Sequence, residues 1–221
     1  MTNNLKDGYF IIGTDTDIGK TYISALLFKS LLPENIGYYK PIQTGCEVED
    51  NFIPLDPKFL CDFCEIDLKD DMTTYLFKNP LSPHLASEME KILINPQNII
   101  DHWNNMKKNY STTIVEAAGG IFVPIIREKY HMFDLIKDLN IPVILVCSLK
   151  IGTINHTMLT IEFLKSKNIK IQGLIFNNYS DTFYKNDNVK TILDLSKIKN
   201  YLKIYDDQKI ISDIEIKKFL K

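Results

Sequence analysis

The stretch GYFIIGTDTDIGKT, residues 8–21, decides how this chain is read. An apolar run, Tyr9 to Ile12, breaks into a polar turn bounded by Gly13 and Gly19. Gly19-Lys20-Thr21 closes the turn, and helical spacing begins at once with Ile23, Leu26, Leu27 and Leu31. Strand, loop, helix is the context that a phosphate-binding loop requires. Successive backbone N–H groups converge on an anion there, and the helix start adds its positive dipole end. In such a loop Lys20 reaches the β- and γ-phosphates and the Thr21 hydroxyl ligates Mg²⁺. The usual pattern places four residues between its two glycines. Here five separate Gly13 from Gly19, and Thr14 stands where a glycine is expected. The stretch predicts a nucleoside triphosphate site.

Outward from this loop, strands alternate with helices. Residues 21–32 form the first helix, with Pro33 after it, and Ile36 to Lys40 a short second strand that Pro41 stops. Thr112 to Ala117 is a third strand, running into Gly119-Gly120. The continuous apolar run from Ile141 to Leu149 suits a strand buried on both faces of a parallel sheet. A helix over 154–166, a strand over 171–177 and part of a helix over 189–195 follow, and Ser212 to Lys221 has helical spacing. This alternation predicts an α/β fold: a three-layer, doubly wound, mostly parallel sheet of the P-loop NTPase type, in one domain spanning 1–221. Ligands bind at the carboxyl ends of such strands. The proline-bearing segment Cys46–Lys91 is expected to form loops and short helices over that face.

Composition limits the alternatives. The chain has 221 residues, 45% hydrophobic and 24% charged, with a net charge of −2. No global basic field draws it to nucleic acid or anionic lipid. Met1 to Asp7 holds no apolar signal core and no apolar run approaches the ~18 residues of a membrane span. The expected compartment is the cytoplasm. Four cysteines suggest no disulfide scaffold in a chain of this size. Cys61-x-x-Cys64 lacks the second pair or histidines of a zinc set and reads as two thiols on a helix. His102, Trp103 and His131 show no partners in the sequence.

Three further constellations carry chemistry. Lys40-Pro41-Ile42-Gln43-Thr44-Gly45 follows the second strand, where a lysine can neutralise a transferring phosphoryl group. Glu116-Ala117-Ala118-Gly119-Gly120 puts an acidic residue at the end of an apolar strand, a place for a metal carboxylate, with glycines that let backbone approach a ligand. Asp56 is a second candidate ligand, so that Thr21, Asp56 and Glu116 make a plausible Mg²⁺ set. Lys150 to His156 opens a helix after the most apolar strand, with Thr153 or Asn155 as the expected cap.

Taken in order, GTDTDIGKT, Lys40-Pro41, Ser82-Pro83-His84, Glu116 with Gly119-Gly120, the apolar run after Ile141 and KIGTINH resemble dethiobiotin synthetase. The five-residue glycine spacing belongs to that family's form of the loop. The resemblance implies a homodimeric, Mg²⁺-dependent enzyme of biotin synthesis that closes a cyclic urea on diaminopelargonic acid with CO₂ and ATP. It implies Lys20 and Lys40 as the catalytic cations. Thr16, Asp17, Ile18, Gly19, Lys20, Thr21, Tyr22 and Asn177 would bind ATP, with Asn177 on the adenine. Thr14, Asp17, Lys40, Thr44, Gly119 and Gly120 would line the substrate site. Gly152 and Asn155 would serve the substrate carboxylate across a subunit interface. The chain departs from the pattern at Ala117, where a glycine is usual, and at Thr44, a position that elsewhere holds serine. Tyr201–Gln208 stands where a proline- and glycine-containing segment flanks the base. Rival readings are a partitioning-type switch ATPase, whose extra loop lysine is replaced here by Thr14-Asp15-Thr16, and a cobalamin-pathway ATPase with acyl phosphate chemistry.

Overall fold

The computed structural model describes residues 5–221; Met1–Asn4, part of the segment expected to lack a signal core, lie outside them. The elements run β1 (Gly8–Gly13), α1 (Lys20–Leu31), β2 (Ile36–Gln43), β3 (Glu47–Val48), β4 (Phe52–Ile53), α2 (Leu55–Cys64), β5 (Thr73–Leu76), α3 (Pro83–Glu90) and α4 (Pro96–Asn109). They continue β6 (Thr112–Gly120), β7 (Pro124–Ile126), β8 (Tyr130–His131), α5 (Met132–Leu139), β9 (Val143–Cys147), α6 (Thr153–Ser166), β10 (Ile171–Tyr179), α7 (Phe183–Ser196), β11 (Tyr201–Tyr205) and α8 (Asp213–Leu220).

Seven strands make one sheet in the order β11-β10-β9-β1-β6-β2-β5, parallel at every pairing. The period of two along each strand divides the core into two layers. Tyr9, Ile11, Tyr38, Ile114, Ile144 and Ile175 pack beneath α1, α2 and α8. Phe10, Ile12, Tyr39, Val115, Leu145 and Phe176 pack against α4, α5, α6 and α7. The result is the three-layer, doubly wound α/β architecture expected. From β1 the chain crosses to β2 and β5, returns to β6, then builds β9, β10 and β11 on the other side. The strand order therefore reverses around β1, and the crevice at its carboxyl end is where such folds bind ligands.

Three details differ from the sequence reading. β2 does not stop at Pro41 but runs on to Gln43. Its pairing with β6 ends at Tyr39↔Val115, and the pairs to β5 fall on Lys40, Ile42 and Gln43. No registered ladder partner falls on Pro41, so its missing N–H breaks nothing there. The Cys46–Lys91 segment does more than cover the face, because β5 within it extends the main sheet. Residues 201–205 form β11, an edge strand parallel to β10. Among the described residues no helix is long and apolar enough to cross a membrane.

Candidate active site

β1 ends at Gly13 opposite Gly120, and the Thr14 N–H donates to the Val146 carbonyl at 3.2 Å, so the loop leaves the sheet from a fixed point. Asp17 (φ 51°) and Gly19 (φ 90°) are left-handed. The second matters sterically: a Cβ at Gly19 would lie 2.2 Å from Asn177 Nδ2. Gly19 starts α1 without a side-chain cap, and the first turn carries no acidic residue. This helix end suits an external anion. Lys20 is buried and donates to the Asp15 carbonyl at 2.9 Å. Burial, then the neighbouring Lys40 cation, holds its ammonium below the ordinary lysine value, against the pull of Glu116, Asp56 and Asp17.

On the α1/α2 side of the sheet, β2 and β6 deliver the second half of the site. Tyr38 pairs with Ile114. Lys40 and Glu116 each lie two residues further on, on the same face. Lys40 Nζ is 2.6 Å from Asp56 Oδ2, 3.0 Å from Glu116 Oε1 and 2.9 Å from the Ala117 carbonyl it donates to. Glu116 also accepts from Thr21 Oγ1 at 2.8 Å and from the Tyr38 hydroxyl at 2.9 Å. Burial alone would lower Lys40, but Glu116 and Asp56 outweigh it and raise the ammonium above its ordinary value. Burial would raise Asp56, yet Lys40 beside it holds the carboxyl below the ordinary carboxylate value. Both directions describe one ion pair, held charged.

These groups face a cleft of about 890 Å³ lined by Thr16, Asp17, Gly19, Lys20, Thr21, Lys40, Thr44, Asp56, Glu116 and Gly119, with Ser82 and Pro83 from the start of α3. A second cavity of about 250 Å³ shares Asp17 and is lined by Ile18, Ser148, Leu149, Lys150, Asn177, Asn178 and Lys185. Asn177 is buried in it; Nδ2 donates to the Ile18 carbonyl at 2.9 Å and Oδ1 has no protein partner.

A family model described as an AAA domain matches residues 7–208. The ATP-dependent dethiobiotin synthetase BioD of Fusobacterium nucleatum subsp. nucleatum is 53% identical over 212 residues, covering 96% of this chain and 97% of that protein. The protein of the same name from Clostridium perfringens (strain ATCC 13124) is 38% identical, with 89% of each chain covered. The chain belongs to the dethiobiotin synthetase family. Among solved structures, a ParA family ATPase from Chlorobium tepidum TLS superposes with a TM-score of 0.59 at 13% identity, covering 97% of this chain and 92% of that one. The MinD cell division protein of Aquifex aeolicus does so at 0.58 and 15%, covering 98% and 88%. At such identities these two likenesses speak for the fold alone.

Within this dethiobiotin synthetase family member, the residues singled out in the sequence fall into three groups. Thr16, Asp17, Gly19, Lys20, Thr21, Lys40, Thr44, Asp56, Glu116 and Gly119 line one cleft, and Ile18 and Asn177 line the cavity beside it. Thr14, Gly120 and Tyr22 lie close by but line neither; the Tyr22 hydroxyl donates to the Gln208 carbonyl at 2.5 Å. Gly152 and Asn155 stand exposed at the start of α6, outside both.

Several local expectations are corrected. Glu116 does not close its strand: β6 continues four residues to Gly120, and the side chain is fully buried. Neither Thr153 nor Asn155 caps α6. Left-handed Gly152 takes that place, and the Thr153 hydroxyl bonds the Ser148 carbonyl instead. His102 and His131 do have partners. His102 bridges Thr74 Oγ1 and the Asp71 carbonyl, and His131 forms a capping box with Asp134 at α5. Cys61 and Cys64 sit buried on α2 as expected, and burial pushes both thiols up to about 11. Sequence reasoning missed Tyr38 and Gln43. Gln43 Oε1 accepts from the Asp56 N–H at 3.3 Å and so seats the start of α2. The available signal for Tyr38 was the period of two, which sets it on the face of Lys40.

Proposed function

We propose that this chain makes dethiobiotin, closing a cyclic urea on 7,8-diaminopelargonic acid with CO₂ at the expense of ATP. The carrying observation is the convergence of Lys40, Asp56, Glu116 and Thr21 beside an uncapped phosphate-loop helix in one cleft. A substrate amine takes up CO₂ as a carbamate. A carbamate oxygen attacks the γ-phosphorus and the bond to ADP breaks. The second amine attacks the anhydride carbon and phosphate leaves. Negative charge builds on the carbamate and the phosphoryl group, so the site needs fixed cations and aimed N–H donors more than a strong base.

Lys20 and the α1 N–H groups hold the polyphosphate tail, and Lys40 offsets charge between carbamate and phosphoryl group. Asp17, Thr44 and the Gly119 backbone border the carbamate and diamine, with Thr14 and Gly120 bracing that wall. Thr16, Ile18 and Tyr22 complete the nucleotide side. The orphaned Asn177 Oδ1 is an acceptor suited to the exocyclic amine of adenine.

The fit to Mg²⁺ rests on donor chemistry. Asp56 and Glu116 present hard carboxylate oxygens to the Lys40 ammonium, and Thr21 Oγ1 adds a third hard oxygen bonded to Glu116. That suits an ion that takes one or two carboxylates and completes its shell with phosphate oxygens and water. When bound, Mg²⁺ would neutralise charge on the phosphates. Gly152 and Asn155, outside the cleft, fit a homodimer in which each subunit receives the other's substrate carboxylate. We place the enzyme in the cytoplasm as one domain over 1–221.

The test is phosphate release with and without diaminopelargonic acid and bicarbonate. Release should require both, and Lys20→Ala and Lys40→Ala should abolish that dependence while remaining folded. ATP hydrolysis indifferent to diamine and bicarbonate would instead describe a switch ATPase.

A further inference from the structure

The Glu116 carboxylate is shared between two environments. Oε1 accepts from Thr21 at 2.8 Å and from Lys40 at 3.0 Å, both of which line the cleft. Oε2 accepts from the Tyr38 hydroxyl at 2.9 Å. Tyr38 does not line the cleft; its side chain is 1% exposed and belongs to the apolar layer beneath α1 and α2. The phenol therefore reaches the carboxylate from the protein interior, where no substrate touches it. Burial and then the Glu116 charge hold the hydroxyl well above its ordinary pKa, so it remains the donor.

Resting on the metal reading above, the geometry points to Tyr38 as a positioning residue that confines Glu116 to one cleft-facing oxygen, Oε1, and so favours Mg²⁺ over Ca²⁺. Mg²⁺ demands a compact octahedron and takes few carboxylate oxygens, whereas Ca²⁺ gathers six to eight oxygens and accepts carboxylates through both of theirs. With Oε2 committed to the phenol, Glu116 offers a larger ion no second oxygen. Neighbours that fix a ligating carboxylate change metal affinity by ~10- to 100-fold when removed.

The experiment is calorimetric titration of Mg²⁺ and of Ca²⁺ into the full chain with a non-hydrolysable ATP analogue. Tyr38→Phe keeps the ring and removes the donor. Tyr38→Met also removes the donor while filling the apolar layer, leaves Glu116 unaltered, and decides the matter should Tyr38→Phe not fold. Thermal melts in EDTA check folding first. Each variant should lose about tenfold or more of the preference for Mg²⁺ over Ca²⁺, with Ca²⁺ affinity held or increased. An unchanged preference in the folded variants, where Glu116→Gln does weaken metal binding, overturns the role of Tyr38 alone. Affinities for both ions that are unchanged in Glu116→Gln overturn the metal reading and this inference with it.

Discussion

Replacing Lys40 with methionine removes the cation that lies between Asp56 and Glu116, and its cost can be worked from the geometry. Lys40 is 2.6 Å from Asp56 and 3.0 Å from Glu116, whose side chain is fully buried. Deleting one partner of a buried pair costs ~3–5 kcal/mol, because the other charge stays buried and uncompensated. Two features pull the value to the low end. Asp56 is 29% exposed and can rehydrate, and Glu116 keeps its bonds from Thr21 and Tyr38. We expect about 3 kcal/mol, which for a chain of this size lowers Tm by roughly 6–12 °C. The sign with pH follows from the two shifts. Lys40 is held above 10.5, so its contribution is complete below that value and fades as pH rises through the folded pKa. Asp56 is held below 3.8, so its contribution is present above that value and fades as pH falls through the folded pKa. The penalty of Lys40→Met is therefore full at neutral pH. It shrinks on acidification, because without Lys40 burial is left to raise the Asp56 carboxyl, which then takes up a proton. Urea unfolding at pH 7.5 and pH 5 measures both. Adding Glu116→Gln to Lys40→Met should recover part of the loss, since the orphaned charge goes with it. A penalty under about 1 kcal/mol, or one that grows toward acid, would refute the buried pair.

Two further substitutions probe the frame around the site. Gly19→Ala places a methyl 2.2 Å from Asn177 Nδ2 on a left-handed backbone; nucleotide affinity should fall at least tenfold by fluorescence titration, and affinity within twofold of the parent would contradict the assigned contact. Ser30 Oγ accepts from the buried Ile211 N–H at 2.9 Å, tying α1 to the C-terminal segment; Ser30→Ala should cost ~1–3 kcal/mol in denaturant unfolding by orphaning that donor, with nucleotide binding retained.

Much of this was legible in the chain because loop chemistry is local. Gly19-Lys20-Thr21 specifies a turn, a charge and a hydroxyl within three residues, and the apolar runs of β1, β6 and β9 announce a buried parallel sheet. Lys40 and Glu116 were found as polar residues ending apolar stretches, although both lie inside longer strands. What joins them is not local. Tyr38 faces Glu116 only through the β2–β6 register, and Asp56 meets Lys40 because α2 packs on β2 and α1, its start seated by Gln43. The edge strands β5 and β11 escaped for another reason. They are short and partly exposed, so their pattern is set by one neighbouring strand and carries little signal of its own.

The most direct measurement is a crystal structure of the chain with a non-hydrolysable ATP analogue and Mg²⁺. The account predicts phosphates seated on the Gly13–Thr21 loop and touched by Lys20, a metal ligated by Thr21, Asp56 and Glu116, and adenine against Asn177. A nucleotide bound away from that loop, or a metal that ignores both carboxylates, would contradict it.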